Sequence, residues 1–389
     1  MRLEDIQNAL QASEIDGWLF FDHHRRDPLA YRILGIAGDR IPTRRWYYLI
    51  PATGQPRKLV HRIENDVLEE LPGDHEEYSS WEEQQRRLAA LLGQTRRVAM
   101  QYSRNCSIPY ISLVDAGTVE LVRSCGVEVI SSADLVQLFE ARWTSQQLEL
   151  HLEAGRRVDR VRAEAFSFLR DRVRAGMPVT EYEVQQWIRE RFSALGLVAD
   201  HGPIVAVNQN ASNPHYEPSR DRTAHIQRGD VVLIDMWAKL AAPAAVYYDI
   251  TWTGFCGDQI PERVQKIFAI VRDARRRTCE FVIRQISNRA ELFGYQVDDV
   301  CRNFIEDHGY GRFFFHRTGH SIGTDVHGTG ANMDNLEAHD DRRIIPQTCF
   351  SVEPGIYLPE FGIRSEVNVY AGDGVALVTG EQQDELVQI

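Results

Sequence analysis

Four acidic residues interrupt four β-rich runs in the second half of the chain, and this pattern restricts the possible folds most strongly. The first two runs are VVLIDMWAKL (231–240) and AVYYDITWTGF (245–255), and the second two are CFSVEPGIYL (349–358) and GIRSEVNVY (362–370). The central acids are Asp235, Asp249, Glu353 and Glu366. The acids are separated by 14 residues in the first pair (235 to 249) and by 13 in the second (353 to 366). The pattern predicts two hairpin-like β units with matching carboxylates.

Burying a carboxylate in an apolar strand is costly unless the group is paired or binds a metal. A single acid of this kind is most simply read as a buried hydrogen-bonding residue. Four acids on matching units, together with a glycine-flanked histidine, favour a metal centre. Four carboxylates balance the charge of two divalent cations, and oxygen-rich ligation suits manganese while tolerating cobalt, iron or zinc. We therefore expect two divalent ions, bridged by carboxylates and about 3.5–4 Å apart.

The glycine-flanked histidine is His320, in the stretch FFFHRTGHSIGTDVHG at residues 313–328. The same stretch contains two other histidines, His316 and His327. Histidines four residues apart also occur in zinc-protease helices of the form HExxH. That interpretation fails here because position 317 is arginine where the motif needs glutamate, and because the glycines disfavour a helix. His320 is the candidate ligand, and the stretch is expected to be non-helical.

The chain changes character near residue 143. Residues 1–142 alternate short strand-like and helical runs, as in a compact α/β domain. A long amphipathic helix then begins, and TEYE at residues 180–183 has the form of a capping box that starts a second helix. We expect two domains, 1–142 and 143–389.

Composition argues against some classes of function. The formal charge of −12 and pI of about 5.6 argue against a nucleic-acid binder. No apolar run approaches the roughly 20 residues of a membrane span. The first residues, MRLEDIQNALQASEIDGW, lack the apolar core of a signal peptide. A cytoplasmic protein without membrane or nucleic-acid partners is expected.

The segments GHSIGTDVHG, SVEPGIY and GIRSE, preceded by the two aspartate strands, resemble the superfamily of prolidase, aminopeptidase P, methionine aminopeptidase and creatinase. The resemblance is strongest to Xaa-Pro peptidases. It implies an α+β protein whose C-terminal catalytic domain has the pita-bread fold. Residues 1–142 are similar to the smaller α/β, creatinase-type N-terminal domain. It also implies a homodimer that acts on short peptides.

The resemblance assigns roles to the five candidate ligands. Asp235 corresponds to the acid that chelates one metal, and Asp249 and Glu366 to the carboxylates that bridge both metals. His320 and Glu353 correspond to the ligands of the other metal.

Four further residues match the surroundings of the metals in this superfamily. His327 corresponds to the histidine that contacts the substrate carbonyl, and His316 to a further pocket histidine. His215 corresponds to a third histidine, and Arg364 to an arginine beside the bridging glutamate. The catalytic residues implied are Glu353, His327 and His316, and the substrate-binding residues are His215, His316, His327 and Arg364.

The implied reaction is hydrolysis of an Xaa-Pro peptide bond by a hydroxide that bridges the metals, in an Xaa-Pro dipeptidase or aminopeptidase. His327 stabilises the oxyanion, and Glu353 carries a proton to the leaving nitrogen. Two alternatives remain: a metal-dependent hydrolase or lyase of a non-peptide small molecule on the same fold, and a catalytically inactive binding relative.

The sequence departs from the superfamily pattern around the expected pocket. Met236 and Trp237 follow the first aspartate, where a small glycine is common. Gly328-Thr329-Gly330 follow His327 in place of an acid and a proline, and Ser365 replaces an aliphatic residue. The five candidate ligands are retained, so these departures bear on substrate choice and leave the metal centre intact.

Overall fold

The computed structural model describes residues 3–37 and 41–389. The chain divides into two compact units, Met1–Glu140 and Ala141–Ile389. The division falls after residue 140, whereas the sequence suggested a boundary after residue 142. The two units are described separately below.

A six-stranded mixed sheet organises the first unit. The strands are β1 (Gly17–Asp22), β2 (Trp46–Pro51), β3 (Arg57–His61), β4 (Asp74–Tyr78), β5 (Arg97–Met100) and β6 (Glu128–Ser131). They lie in the order β4-β3-β2-β1-β5-β6. The strands on either side of β2 are antiparallel to it, and the remaining pairs are parallel. The helices are α1 (Leu3–Ala12), α2 (Pro28–Leu34), α3 (Trp81–Leu92), α4 (Ala116–Ser124) and α5 (Ala133–Val136).

Helices cover both faces of this sheet, which explains the unbroken apolar run in β1. Side chains alternate between the faces of a strand. Trp18 and Phe20 pack into the core that contains residues of α1 and α2. Leu19 and Phe21 pack into the core that contains residues of α3 and α4. The first unit is therefore the smaller α/β layer structure expected from its alternating sequence.

The second unit combines long helices with two sheets. Its helices are α6 (Ser145–Arg174), α7 (Glu181–Ala194), α8 (Glu262–Ser287) and α9 (Gly294–Asp307). Its strands are β7 (Leu197–Val198), β8 (Ile204–Val207), β9 (Val231–Leu240), β10 (Tyr248–Phe255), β11 (Ser321–Ile322), β12 (Thr348–Val352), β13 (Gly355–Tyr357), β14 (Gly362–Arg364), β15 (Val367–Ala371), β16 (Ala376–Thr379) and β17 (Val387–Gln388). One sheet has the order β17-β10-β9-β7 with β8 also paired to β9, and the other has the order β11-β12-β15-β16. β13 and β14 form a separate hairpin.

Side-chain capping starts two of these helices where the sequence indicated. Thr144 and Gln147 form a capping box at the start of α6. Thr180 and Glu183 form the one predicted from TEYE at the start of α7. Gly196 follows α7 with a φ of +66°, a left-handed conformation that glycine adopts without the Cβ clash of other residues. None of the helices in the described part of the chain has the length and apolar composition that crossing a bilayer requires.

Alternation along β9 separates a helix-packing face from a face that carries functional groups. Its even-numbered residues from Val232 to Ala238 lie in the core formed with α6 and α7. Its odd-numbered residues Leu233 and Trp237 lie in a second cluster on the opposite face, and Asp235 lies between them in the strand. β10 pairs antiparallel with β9, as the first predicted hairpin unit requires.

The second predicted hairpin unit differs in detail from expectation. β12 pairs with β15, and β13 pairs with β14, so the two segments are antiparallel but their ladder is broken in the middle. Glu353 and Glu366 lie at the break and not inside strands. Pro354 has no N–H to donate to a ladder, which accounts for an interruption at this point. The break leaves both carboxylates outside the regular pleat.

Candidate metal centre

Strand register brings the two aspartates to one face of the β9–β10 pair. Asp235 lies opposite Thr251, and Asp249 lies opposite Trp237. Both acids are buried. Thr251 Oγ1 donates a hydrogen bond of 2.8 Å to Glu366 Oε2, and its carbonyl accepts one of 3.1 Å from the Glu366 amide. The β9–β10 hairpin therefore meets the second pair of acids through Thr251.

Three of the five predicted ligands form a compact group. Donor atoms of Asp249, His320 and Glu366 all lie within 4.8 Å of one another. His320 Nε2 also lies 3.5 Å from Asp249 Oδ2 and 3.5 Å from Glu353 Oε1. The structure thus places Glu353 beside the same imidazole. Asp235 is outside the three-residue group and is linked to it through Arg364.

The orientation of His320 suits a ligand. Its Nδ1 lies 3.1 Å from the carbonyl oxygen of Ser321, so Nδ1 carries the proton and donates it there. Nε2 is then the unprotonated nitrogen and points at the acids. The Ser351 hydroxyl accepts from the His320 backbone amide at 2.9 Å and donates to Glu353 Oε1 at 3.1 Å. Ser351 therefore links the His320 backbone to the adjacent acid.

Close backbone packing explains the glycine before this histidine. A Cβ on Gly319 would lie 1.9 Å from the carbonyl oxygen of Ser351. Only a residue without a side chain allows the loop to pass this close to β12. Gly319 therefore sets the distance between His320 and the strand that leads to Glu353.

The carboxylates have unused oxygens in a buried setting. Within the described residues, no hydrogen-bond donor reaches Asp235 Oδ1, Asp249 Oδ1 or Glu366 Oε1. Desolvation raises the pKa of Asp249, Glu366 and Glu353, and repulsion from neighbouring carboxylates adds to it. Buried acids without donors are costly, and a divalent cation would supply the missing partner. The donor set, four carboxylates and one imidazole, fits one or more such cations.

Arg364 balances part of this negative charge. It is buried and donates from Nη2 to Asp235 Oδ2 at 2.6 Å and from Nε to Thr251 Oγ1 at 3.0 Å. Its Nη1 donates to the Tyr357 hydroxyl at 3.0 Å. One oxygen of Asp235 is therefore held by the arginine, and the other remains for a ligand.

His316 is tied into the same network. Its Nδ1 lies 2.7 Å from the Arg317 carbonyl oxygen, and its Nε2 lies 2.7 Å from the Tyr357 hydroxyl. Desolvation, with repulsion from Arg364, lowers its pKa to about 3, so the ring is neutral near neutral pH. Because both ring nitrogens are engaged, His316 orients Tyr357 and has no free nitrogen for a substrate.

The other two predicted histidines lie nearer to solvent. The His327 ring is edge-on to that of His320, with 4.3 Å between centroids. His327 is exposed as a whole residue, yet desolvation of the ring, with repulsion from His320, lowers its pKa to about 3. His215 is exposed, and its charge contributes to the lowered pKa of His327. His327 thus lies beside the ligand group, and His215 lies close enough to His327 to influence its charge.

Three supporting residues were missed in the sequence. Thr251 and Tyr357 carry the network described above. Asn368 Oδ1 accepts from the Asp249 amide at 3.0 Å, and its Nδ2 donates to the Asp249 carbonyl oxygen. Polar residues at alternate positions from the acids, such as Thr251 two residues after Asp249, were the available signal.

Comparison with known proteins gives a consistent assignment. Residues 149–373 match the profile described as Metallopeptidase family M24. A protein named as an uncharacterized peptidase of Schizosaccharomyces pombe is 33% identical over 204 residues, which cover 52% of this chain and 42% of that protein. An Xaa-Pro dipeptidase of Lactobacillus delbrueckii subsp. lactis is 28% identical over 232 residues, which cover 59% and 56%. The chain thus spans about half the length of these curated relatives.

A solved structure shares the fold. Dipeptidase PepE from Mycobacterium ulcerans aligns with a TM-score of 0.73 at 24% identity, covering 100% of this chain and 97% of that one. The expected α+β class is confirmed, with a pita-bread second unit and a smaller α/β first unit. Because the family profile extends over more than half of the sequence, the chain belongs to metallopeptidase family M24.

Proposed function

We propose that this protein is a metal-dependent peptidase that hydrolyses Xaa-Pro bonds in dipeptides or short peptides. The observation that carries the proposal is the buried group of Asp249, His320 and Glu366, in which both carboxylates have an oxygen that no donor among the described residues reaches and the imidazole has an unprotonated Nε2. The Lactobacillus relative, named an Xaa-Pro dipeptidase, supports the substrate class.

The five predicted ligands would hold two divalent cations, with Asp249 and Glu366 shared between them. Asp235 would complete one site, and His320 with Glu353 the other. Bound cations would lower the pKa of water and supply a nucleophile near neutral pH. Manganese is the expected metal because the set is rich in oxygen. A homodimer and a cytoplasmic location remain predictions.

Glu353 would move the proton. Burial raises the pKa of its carboxyl group, so the group can hold a proton closer to neutral pH than an exposed glutamate. It accepts a proton from the attacking water as the C–O bond forms. It then delivers that proton to the proline nitrogen as the C–N bond breaks.

The histidines would act as neutral groups. His327 would donate a hydrogen bond to the carbonyl oxygen as negative charge develops there. His316 would act indirectly, since it holds the Tyr357 hydroxyl that also accepts from Arg364. His215 would border the pocket from its exposed position.

Release of the N-terminal alanine tests the proposal. Purified protein is given Ala-Pro, Ala-Pro-Ala and Ala-Ala, each with added manganese, cobalt or zinc, and with a chelator. We expect Ala-Pro bonds to be cleaved only in the presence of metal. Cleavage of the tripeptide as well as the dipeptide would indicate an aminopeptidase, and cleavage of Ala-Pro alone a dipeptidase.

Two variants separate the metal centre from general damage. Asp249→Asn should remove activity, because it neutralises a shared acid. Asp221→Asn makes the same change at an exposed position and should keep it. Metal binding without cleavage of any Xaa-Pro peptide would refute the peptidase and favour a non-peptide substrate. Failure to bind metal would favour an inactive relative.

A further inference from the structure

Trp237 marks one end of the candidate metal centre. Its register partner on β10 is Asp249. It shares the functional face of β9 and packs with Ile322 and Val326, which lie within the segment from His320 to His327. The indole therefore forms a wall directly beside the candidate ligands.

The indole holds a carboxylate at this wall. Trp237 Nε1 donates to Asp200 Oδ1 at 2.9 Å. The same oxygen accepts from the His201 backbone amide at 3.0 Å and lies 2.9 Å from His201 Nδ1. These contacts use Oδ1, while the Asp200 side chain is 50% exposed. Asp200 is thus fixed through one oxygen and open to solvent on the rest of the group.

Asp200 and His201 lie close enough to the centre to affect it. The charge of Asp200 is among the causes that raise the pKa of Asp249, and His201 is among those that lower the pKa of His327. Lys239, two residues after Trp237 on β9, donates from Nζ to the Thr324 carbonyl oxygen at 2.6 Å, and this Nζ lies 4.8 Å from the Tyr247 ring centre.

Charged groups of different kinds lie at the two ends of the centre. Asp235 and Trp237 are two residues apart on β9, which is about 7 Å along a strand. Arg364 contacts Asp235 at one end, and Asp200 contacts Trp237 at the other. A dipeptide placed along the strand with its amino terminus at the Trp237 end would put its ammonium group towards Asp200.

We propose that Asp200, positioned by Trp237, binds the α-ammonium group of the first residue of the peptide. This inference rests on the proposed peptidase function and deepens it. A fixed carboxylate and an ammonium group form a charge-assisted hydrogen bond. The site would select substrates with a free amino terminus.

The test compares ligands with and without the amino group. Ala-Pro is measured by kcat/KM, and propionyl-proline, which has hydrogen in place of the ammonium, by its inhibition constant. In Asp200→Asn, which retains the acceptor for Trp237, kcat/KM for Ala-Pro should fall about tenfold or more. The inhibition constant of propionyl-proline should change less than about twofold.

Two further variants define the cause. Trp237→Phe keeps an aromatic ring but loses the N–H. Like Asp200→Asn, it should lower kcat/KM for Ala-Pro and leave the inhibition constant of propionyl-proline nearly unchanged. Asp221→Asn, at an exposed position, should leave both measurements unchanged. An equal change for both ligands in Asp200→Asn, or no change for either, would overturn the inference. Equally tight binding of propionyl-proline and Ala-Pro to the unaltered protein would also overturn it.

The failure of the proposed function would look different. If the unaltered protein releases no proline from Ala-Pro with metal added, the peptidase itself is refuted. If it releases proline and the Asp200 variant shows no selective loss, the peptidase stands and only the ammonium site is refuted.

Discussion

Neutralising Glu366 should make the metal-free protein more stable while weakening its response to metal. Glu366 and Asp249 are buried, with donor atoms within 4.8 Å. At an effective dielectric constant of about 20, two unit charges separated by 4.8 Å repel by about 3.5 kcal/mol. Proton uptake relieves part of this repulsion. We therefore expect Glu366→Gln to stabilise the metal-free protein by about 1–2 kcal/mol, while glutamine still accepts from Thr251.

The assay is thermal unfolding at pH 7.5, with and without manganese. About 1–2 kcal/mol corresponds to a rise of roughly 2–8 °C in the Tm of a domain of this size. In the unaltered protein, metal at 100 times its Kd should raise the free energy of unfolding by about 2.7 kcal/mol. In Glu366→Gln, the same metal concentration should raise it much less. Glu385→Gln, the same change at an exposed acid, should alter neither value.

The pH dependence has a defined sign. A raised carboxyl pKa in the folded state means that this state retains protons that the unfolded state releases. Stability from these groups is present below the unfolded pKa and is lost as pH rises, so the gain in Glu366→Gln should grow with pH. A variant that is less stable than the parent without metal, or that responds to metal as the parent does, would refute this account of the buried acids.

Three further perturbations test other parts of the structure. Glu181 is buried and accepts hydrogen bonds from two backbone amides, an asparagine side chain and a tyrosine hydroxyl. Glu181→Ala should therefore lower the free energy of unfolding, measured with urea, by at least about 3 kcal/mol, and a loss below about 1 kcal/mol would contradict this. Burial lowers the pKa of His151 to about 4, so the free energy of unfolding should fall by about 2 kcal/mol between pH 7.5 and pH 5. The fall should be smaller in His151→Gln, and an equal dependence on pH in the two proteins would argue against this role of the buried ring. Gly319→Ala should weaken metal binding at least tenfold, because its Cβ would meet the Ser351 carbonyl oxygen. Gly323→Ala, which has space for a Cβ, should bind metal as the parent does. Calorimetric titration of both variants with metal measures this, and equal affinities would show that the close approach at Gly319 does not matter.

The sequence was most informative where chemistry and periodicity agreed. Asp235 and Asp249 stand out because carboxylates in otherwise apolar strands require a partner, and the strands themselves follow from the β-rich composition of both runs. The capping box at Thr180 was likewise readable, since its two hydrogen bonds depend only on local spacing. Features set by neighbouring residues could thus be predicted.

Features set by long-range register could not. Thr251 meets Glu366 across 115 residues of sequence, and Asn368 meets Asp249 across 119. Their roles appear only when the two sheets are in place. Asp200 illustrates the same point, because Trp237 was visible as an unusual residue while its partner lies in an irregular segment 37 residues earlier.

The break in the second hairpin was also beyond the sequence pattern. The runs around Glu353 and Glu366 look like continuous strands, yet both ladders stop at the acids. Pro354 was the available signal, since it lacks the donor that a ladder needs. The positions of acids within a strand-like run therefore do not establish that they lie in regular pleat.

Metal stoichiometry tests the central claim most directly, namely that the buried acids bind divalent cations. Native mass spectrometry of the metal-free protein titrated with manganese would count ions per chain, with Asp249→Asn as the altered site and Asp221→Asn as the matched control. The account predicts two ions in the unaltered and control proteins and loss of binding in Asp249→Asn. Absence of bound ions, or unchanged binding in Asp249→Asn, would contradict it.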